Sequence, residues 1–321
     1  MVGCGGGADG GSGTGNSAVI AITAANQKTV AAASTDSDIR NFSGTGTDQV
    51  AAATSASNEP ERINFLKIAQ INLVQAAPQA TGAPLPAGVV PDSGTRECVE
   101  GDVNSGTVTV SYIDNGDNQV SNGDAVTITY NNCLDPVSND RTSGRVSYAI
   151  TKVTGTPSAS SAGWSITASI IFQDLSITSN NGTGPTRTAN GGFTLTFSED
   201  TTNQTTSIVI GSTLSVRDNA GLVTWTDFSF TFVENDLTGE YRQSGSGSIA
   251  NSALGGKVTV NFSNVSGVGS GFPSAGSIKI TGDKSSLTLR PQDSTNVRLE
   301  LDLDDNGSIE AAETVAWSAL V

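Results

Sequence analysis

The most regular feature of the chain is an alternation of apolar and polar residues that begins near residue 98 and continues past residue 300. Val108, Val110 and Tyr112, for example, alternate with threonine and serine. A period of two places one side of an extended strand on a core and the other side in water. The same alternation recurs at 126–130, 146–150, 166–172, 193–197, 228–232, 258–262, 278–280, 287–289 and 297–301.

Glycine, asparagine and aspartate separate these segments, as they separate the strands of an antiparallel sheet. The sequence therefore predicts a mainly β protein of roughly a dozen strands in a large antiparallel meander. Either a sandwich or a partly closed barrel would fit this pattern. The chain contains no repeat strict enough for a solenoid.

The first part of the chain follows a different pattern. Residues 17–78 are rich in alanine and predict a small helical segment with a polar loop. One helix is expected from about Thr23 to Ala33, and a second near 58–77, where apolar residues recur at spacings of three and four. Prolines then predict an extended connector over 79–97. The antiparallel β domain is expected to cover 98–321.

The composition limits the functions that the chain can have. The net charge is −15 and the pI is about 4.2, so the surface repels phosphate backbones and we expect no nucleic-acid partner. The chain contains no histidine, which removes the usual nucleophilic triads and most zinc and copper sites. We therefore expect that the protein is not an enzyme. Carboxylates and other hard oxygen ligands remain, and these suit calcium.

The most specific motif lies near the C-terminus. Residues 302–313 read D-L-D-D-N-G-S-I-E-A-A-E, with oxygen-bearing side chains at positions 1, 3, 5, 9 and 12 and glycine at position 6, where the chain must turn. The run resembles EF-hand and dockerin-type calcium loops. The resemblance implies a calcium ion bound by Asp302, Asp304, Asn306, the backbone carbonyl of Ser308, Glu310 through water and both carboxylate oxygens of Glu313.

The run departs from the EF-hand pattern in one respect. The segment that enters the loop, 297–301, alternates like a strand instead of forming a helix. We therefore expect a single strand–loop–helix site, ending in a short C-terminal helix with Val315, Trp317 and Leu320, and not a paired sensor. The alternative is an acidic turn in front of the same helix.

A second, weaker candidate for a calcium site lies at residues 114–124, which read D-N-G-D-N-Q-V-S-N-G-D. The run resembles the D-x-D-G-N-G-x-x-S-x-G-D turns of bacterial surface proteins, but it is one residue short. Asp114, Asp117, Ser121 and Asp124 would be the ligands. A plain hairpin turn is the alternative.

The first of the three cysteines suggests a membrane anchor. Val2, Gly3 and Cys4, followed by glycines, resemble the end of a bacterial lipoprotein signal peptide. The resemblance implies lipidation of Cys4, with 1–16 as a flexible Gly/Ser tether to the membrane. An incidental cysteine in a cytosolic protein is the alternative.

The other two cysteines, Cys98 and Cys133, bracket the first predicted hairpin. An oxidising compartment, which the lipoprotein resemblance implies, favours a disulfide between them. Two buried free thiols are the alternative.

These features predict a calcium-stabilised, lipid-anchored β protein of the bacterial cell envelope, at the outer membrane or cell surface. Its role would be structural, adhesive or binding, with polysaccharide or protein as partner. A carbohydrate-active protein, either a binding module or a carboxylate-based glycoside hydrolase, is one alternative. A surface-fibre subunit assembled by strand addition is another. Exposed aromatics beside an acidic cleft would favour carbohydrate, whereas a sheet face of serine and threonine would favour the structural role.

Overall fold

A single antiparallel sheet of fourteen strands makes up most of the protein. The computed structural model describes residues 18–35, 69, 93–99, 101–116, 121–136, 138–155, 163–219, 221–269 and 271–320. The strands are β1 (Gly94–Glu97), β2 (Thr107–Ile113), β3 (Ala125–Asp135), β4 (Asp140–Thr154), β5 (Trp164–Thr178), β6 (Thr186–Glu199), β7 (Gln204–Asp218), β8 (Gly221–Asn235), β9 (Glu240–Asn251), β10 (Gly256–Val268), β11 (Ala275–Gly282), β12 (Ser285–Pro291), β13 (Asn296–Asp302) and β14 (Ala311–Ala316).

The strand order confirms the predicted antiparallel meander, because every strand pairs with its neighbours in the sequence. The sheet is unclosed: within the described part of the chain, β1 and β14 are its two edges and do not pair with each other. The architecture is therefore one open sheet and not two separate sheets. β1 begins at Gly94, so the sheet already starts inside the segment predicted as a connector.

The inner face of the sheet carries one continuous core. In β5, for example, Ile166, Ala168 and Ile170 are fully buried, and each alternates with a residue that is only partly covered. The apolar residues of β4 to β13 join in the same cluster. Each of the ten segments that alternate in the sequence lies in a strand, because burial on one face is what the alternation encodes.

A line of β-bulges interrupts this alternation and bends the long strands. In β5 the buried positions end at Phe172 and resume at Leu175, with Asp174 in a left-handed conformation (φ 47°) between them. The adjacent Gly144 of β4 packs against the carbonyl group of Asp174. The same combination of a left-handed Asn or Asp and a facing glycine recurs at Asn132 with Gly106 and at Asn264 with Gly276.

The bulge line runs obliquely across the sheet. Asn132 lies near the end of β3 and Asn264 near the end of β10, and these two strands run in opposite directions. The line therefore starts at one end of the strands and finishes at the other. Because a bulge bends its strand and increases the local twist, the sheet curves along this diagonal.

Glycines on β7 and β9 make room for the aromatic residues of β8. A side chain at Gly211 would collide with the ring of Phe228, and a Cβ at Gly247 would lie 2.7 Å from the Cβ of Phe228 and 3.2 Å from Trp225. Both aromatic residues are buried. The large side chains in this part of the core thus come from β8, and the neighbouring strands β7 and β9 contribute glycines.

The N-terminal segment crosses the turns at one end of the sheet. We call residues 18–22 the N-terminal strap. Ile20 donates a backbone hydrogen bond to Lys257 at 3.2 Å and accepts one from Asp283 at 2.7 Å. The helix α1 (Gln27–Thr35) follows a turn at the predicted helix start and buries one face in the core. Of the second predicted helix, only Ala69 lies within the described residues, and it is helical and fully buried.

The predicted disulfide between Cys98 and Cys133 is confirmed, with the two Cα atoms 5.5 Å apart. It ties the segment after β1 to the end of β3. The two cysteines are 35 positions apart in sequence. Closing a loop of that length removes entropy from the unfolded chain worth roughly 3.8 kcal/mol in the chain-entropy model.

The C-terminal segment differs from the expected helix. Residues Ala311–Ala316 form the edge strand β14, and helical structure is limited to a 3-10 turn at Trp317–Ala319. Half-buried and exposed residues alternate along β14, which is the period of a strand. Trp317 then turns into the core, stacks on Phe272 and donates its indole N–H to the carbonyl of Pro273 at 3.1 Å.

A substitution at a bulge glycine should show how strongly the bent sheet depends on these positions. Gly144→Ala places a Cβ 2.8 Å from the Cα of Leu175, at a φ of 104° that side chains rarely adopt. We expect a loss of roughly 2–4 kcal/mol in the free energy of unfolding, measured by urea denaturation. Gly94→Ala, where nothing lies within 4 Å of the added atom, is the control. Equal stability of the two variants would contradict the role of the bulge.

Candidate metal centre

The loop between β13 and β14 is organised around the carboxylate of Asp302, the last residue of β13. Asp302 is only 3% exposed. Its two carboxylate oxygens accept backbone hydrogen bonds from Gly307 at 2.8 Å, from Asn306 at 3.2 Å and from Asp304 at 3.3 Å. The first position of the motif therefore holds the loop in its turn.

Two opposing effects act on the pKa of Asp302. Burial of the carboxyl group raises the pKa, and the backbone N–H groups of Gly307, Asn306, Asp304 and Asp305 lower it. The hydrogen bonds outweigh the burial, so the pKa lies below its ordinary value. Asp302 is consequently ionised in the folded protein at neutral pH, which is the form that a cation requires.

Three carboxylates converge in this loop. One carboxylate oxygen from each of Asp302, Asp304 and Glu310 lies within 4.8 Å of the other two. Glu310 also accepts the backbone N–H of Leu303 at 2.7 Å, which ties the two sides of the loop together. Three negative groups at this spacing repel each other, and a bound cation would relieve that repulsion.

The other predicted ligands also lie in this loop. The side-chain amide of Asn306 donates to Asp304 at 2.8 Å, and its oxygen accepts the backbone N–H of Ser308 at 2.7 Å. Gly307 has a φ of 92°, which only glycine adopts readily, and this explains the glycine at position 6. Asp305, the additional acidic residue, pairs with Lys279 at 3.1 Å.

Glu313 is placed differently from the expectation. It lies in β14, and its two carboxylate oxygens contact the side-chain amide of Gln27 at 2.7 Å and the ammonium group of Lys28 at 2.9 Å. The converging group of Asp302, Asp304 and Glu310 does not include it. The reason is the strand: a helix after position 9 would turn residue 313 back toward the loop, whereas β14 carries it away.

The second candidate lies in the turn between β2 and β3. The carboxylate of its buried acid, Asp124, accepts hydrogen bonds from within this hairpin. Asp124 is 1% exposed and accepts the hydroxyl of Tyr112 at 2.8 Å and the backbone N–H of Ser121 at 2.7 Å. Asp114 accepts a backbone N–H of the same turn at 3.0 Å. Asp117 lies outside the described residues. Asp124 therefore holds the described part of this turn through its hydrogen bonds.

Two pairs of neighbouring acidic residues could be considered for a carboxylate-based glycoside hydrolase, Glu199 with Asp200 and Glu234 with Asp236, and both lie at strand ends. The carboxylate of Asp200 accepts hydrogen bonds from the backbone of Gln204 and from both the backbone and hydroxyl of Thr202. These bonds, with that from Gln204 the strongest, lower the pKa of Asp200. Glu234 and Asp236 flank the end of β8. Asp200 therefore serves its own turn.

The tryptophans belong to the core and not to a sugar-binding platform. The exposed fractions of Trp164, Trp225 and Trp317 are 6%, 3% and 0%. Trp164 packs against Phe197, with ring centres 5.3 Å apart, and its indole N–H donates to Glu199 at 3.0 Å.

Comparison of the chain with protein-family models, with curated proteins and with solved structures gave no match. Among the described residues, no helix combines the length and apolar character needed to cross a bilayer. The predicted lipidation site, Cys4, lies outside the described residues. The geometry of the sheet and of the acidic loop is therefore the basis of the function proposed below.

The structural role of Asp302 can be separated from metal binding. With a chelator present, Asp302→Asn should lower the urea midpoint, because the backbone N–H groups of the loop lose their charged acceptor. The exposed Asp304→Asn should change it little. The folded pKa of Asp302 is lowered, so its contribution is present above the ordinary carboxyl pKa of about 3.9 and is lost as the pH falls through the lowered value. Below that pH the urea midpoint of the wild type should accordingly decrease, and the decrease should be smaller in Asp302→Asn. Identical midpoints for both variants would contradict this role.

Proposed function

We propose that the protein is a calcium-stabilised structural protein of the bacterial cell envelope, anchored by a lipid on Cys4 and built to present a large β surface. The observation that carries the proposal is the convergence of Asp302, Asp304 and Glu310 within 4.8 Å in a loop that is already held by backbone hydrogen bonds. The calcium ligands in this proposal are these three carboxylates with Asn306 and Ser308.

Calcium fits this donor set better than other common cations. All the candidate ligands are oxygens, and the histidine that transition metals usually select is absent from the sequence. The loop is exposed apart from Asp302, so water can complete the six to eight ligands that calcium takes. Magnesium requires near-ideal octahedral geometry and releases its water reluctantly, so it should bind less well.

The position of the loop suggests what calcium would do for the protein. β14 pairs only with β13 among the described strands, so it is held on one side alone. An ion bound between the end of β13 and the start of β14 would fix the turn that joins them. Binding would therefore stabilise the exposed edge of the sheet.

The outer face of the sheet supports a structural role. One row of paired positions across nine strands contains Ser or Thr at all but two of them: Ser111, Thr127, Ser147, Ile171, Gly192, Thr213, Thr226, Ser248 and Thr259. Hydroxyls of adjacent strands also bond directly, as Thr167 and Thr196 do at 3.0 Å. A hydroxyl-covered face beside buried tryptophans offers little for stacking on sugar rings. A carbohydrate-active protein is thus the weaker alternative.

A surface-fibre subunit stays the second candidate because the sheet is open. β1 and β14 are edge strands among the described residues, and edges are the sites at which strands add.

The lipid anchor in the proposal is supported by two observations outside the loop. The Cys98–Cys133 disulfide is typical of an oxidising compartment, and it leaves Cys4 as the one remaining cysteine. Glycine and serine dominate the tether that follows Cys4, which suits a flexible link to a membrane.

Calcium should raise the stability of the protein. For dissociation constants of roughly 10⁻⁴ to 10⁻³ M, typical of extracellular modules, millimolar calcium adds about 0.4 to 1.4 kcal/mol. Thermal melting with calcium and with chelator measures this shift. Glu310→Gln should abolish it, because that residue supplies one of the three converging carboxylates.

Glu313→Gln is the matched control for this experiment. It removes the same charge three positions further on, where the carboxylate contacts Lys28. The calcium-dependent shift should survive Glu313→Gln. Identical melting of the wild type in calcium and chelator, with no heat of binding in calorimetry, would show that the loop is only an acidic turn.

The anchor predicts a specific partitioning behaviour. When the chain is expressed behind a lipoprotein signal peptide, it should separate into the detergent phase, and Cys4→Ala should move it to the aqueous phase. Cys4→Ala should leave the melting temperature unchanged, since the disulfide pair remains intact. Unchanged partitioning of the variant would remove lipidation from the proposal.

A further inference from the structure

The outer edge of β14 presents backbone groups in a regular row. Trp317 donates its backbone N–H to the carbonyl of Thr295, and the register of β13 with β14 continues from that pair. Hydrogen-bonded residues alternate along an antiparallel strand. Every second residue from Trp317 backward therefore directs its backbone N–H and C=O groups toward β13. The intervening residues Ala312, Thr314 and Ala316 point their N–H and C=O groups outward. All three are exposed, and among the described strands only β13, on the other side, pairs with β14.

This edge lacks the usual protection against pairing. Edge strands commonly carry lysine, proline or a bulge that prevents the addition of another strand. The sequence of β14 is A-A-E-T-V-A, which contains neither lysine nor proline, and its register with β13 is continuous over all six residues. Its one charge, Glu313, faces the inner side of the sheet and is paired with Lys28 of α1.

The outward residues are also symmetric about Thr314. A two-fold axis through Thr314 would place Ala312 of one copy opposite Ala316 of the other, and Thr314 opposite itself. The side chains brought together are a methyl group opposite a methyl group and a hydroxyl opposite a hydroxyl, so they do not clash. Each of the three pairs would exchange two backbone hydrogen bonds. The edge is therefore complementary to itself.

We propose that β14 is a homodimer interface, at which the β14 strands of two copies pair antiparallel about a two-fold axis through Thr314. The occupant is a second copy because the outward residues read Ala, Thr, Ala in both directions along β14. A two-fold contact requires a surface that is complementary to itself in this way. α1 does not obstruct the edge, because its contacts with Glu313 are on the inner side, where the paired residue Leu299 is buried. This interface goes beyond the proposed envelope role and requires neither calcium nor the lipid.

A cysteine at the symmetry axis tests the geometry directly. In a Cys4→Ser background the only free thiol of Thr314→Cys would be the introduced one. Two copies paired as proposed bring their Cα atoms at position 314 to about 5.5 Å, within disulfide range. Oxidation should convert most of the protein to a covalent dimer. Thr259→Cys, an exposed threonine of the inner strand β10, is the control and should stay monomeric.

The non-covalent dimer is tested by sedimentation over a range of concentrations in chelator. The wild type should show a monomer–dimer equilibrium, and Thr314→Pro, which removes an outward N–H, should weaken it roughly tenfold or more. Ala312→Lys should also weaken it by adding a charge at the edge, which provides a second variant if the proline disturbs folding.

Three results would overturn the proposal. A monomer at millimolar concentration with no Thr314→Cys cross-link would mean that the edge is covered by another part of the chain or is unused. A series of oligomers beyond the dimer, without the cross-link, would indicate head-to-tail pairing of β14 with β1. Equal cross-linking of Thr314→Cys and Thr259→Cys would indicate random collision. Each is distinct from a failure of the calcium proposal, because sedimentation and cross-linking are both carried out in chelator.

Discussion

The fold depends on the close approach of backbones along the oblique bulge line. A glycine on one strand admits the carbonyl of a left-handed Asn or Asp on the next, as at Gly144 with Asp174 and at Gly276 with Asn264. Each bulge shifts the phase of its strand by one residue and keeps apolar side chains on the inner face above and below the bend. Without the shift, half of every long strand would expose its apolar residues. The single core cluster is thus a consequence of the bulge line.

The alternation in the sequence was sufficient to predict a mainly β antiparallel meander, because inward positions in most strands are large and apolar. It did not reveal β7 and β9. Their inward positions include Ser207, Gln243 and Gly247, which are small or polar. At Gly247 the aromatic residues Phe228 and Trp225 of β8 occupy the space that a side chain would take. β1 and β14 were missed because short edge strands bury too little for a clear period. The phase shift at Gln173 and Asp174 was visible in the sequence, but its meaning depends on the facing glycine of a neighbouring strand.

The acidic loop was predictable as a motif because its ligands are local in sequence. The structure of the segment that leaves the loop was not predictable. The run A-A-E-T-V-A is compatible with either a strand or a helix, and its pairing with β13 decides for the strand. That difference moves Glu313 from the loop to Gln27 and Lys28, residues that are more than 280 positions away in sequence. No local pattern identifies such a contact. Likewise, the hydrogen bond from the Tyr112 hydroxyl to the buried Asp124 joins residues twelve positions apart, and the run of acidic residues at 114–124 does not by itself predict it.

The N-terminal strap has a mechanical consequence. A pull on the chain from the N-terminal side would reach the described part of the protein at Ala18 and Ile20, whose backbone hydrogen bonds go to Lys257 at the start of β10 and to Asp283 in the turn before β12. The load would therefore enter at the C-terminal half of the sheet and spread over two hairpins before it reached α1. The disulfide fastens the opposite half, at β1 and β3. Tension at the N-terminal strap and fraying of the first strands would thus be resisted by separate sets of contacts.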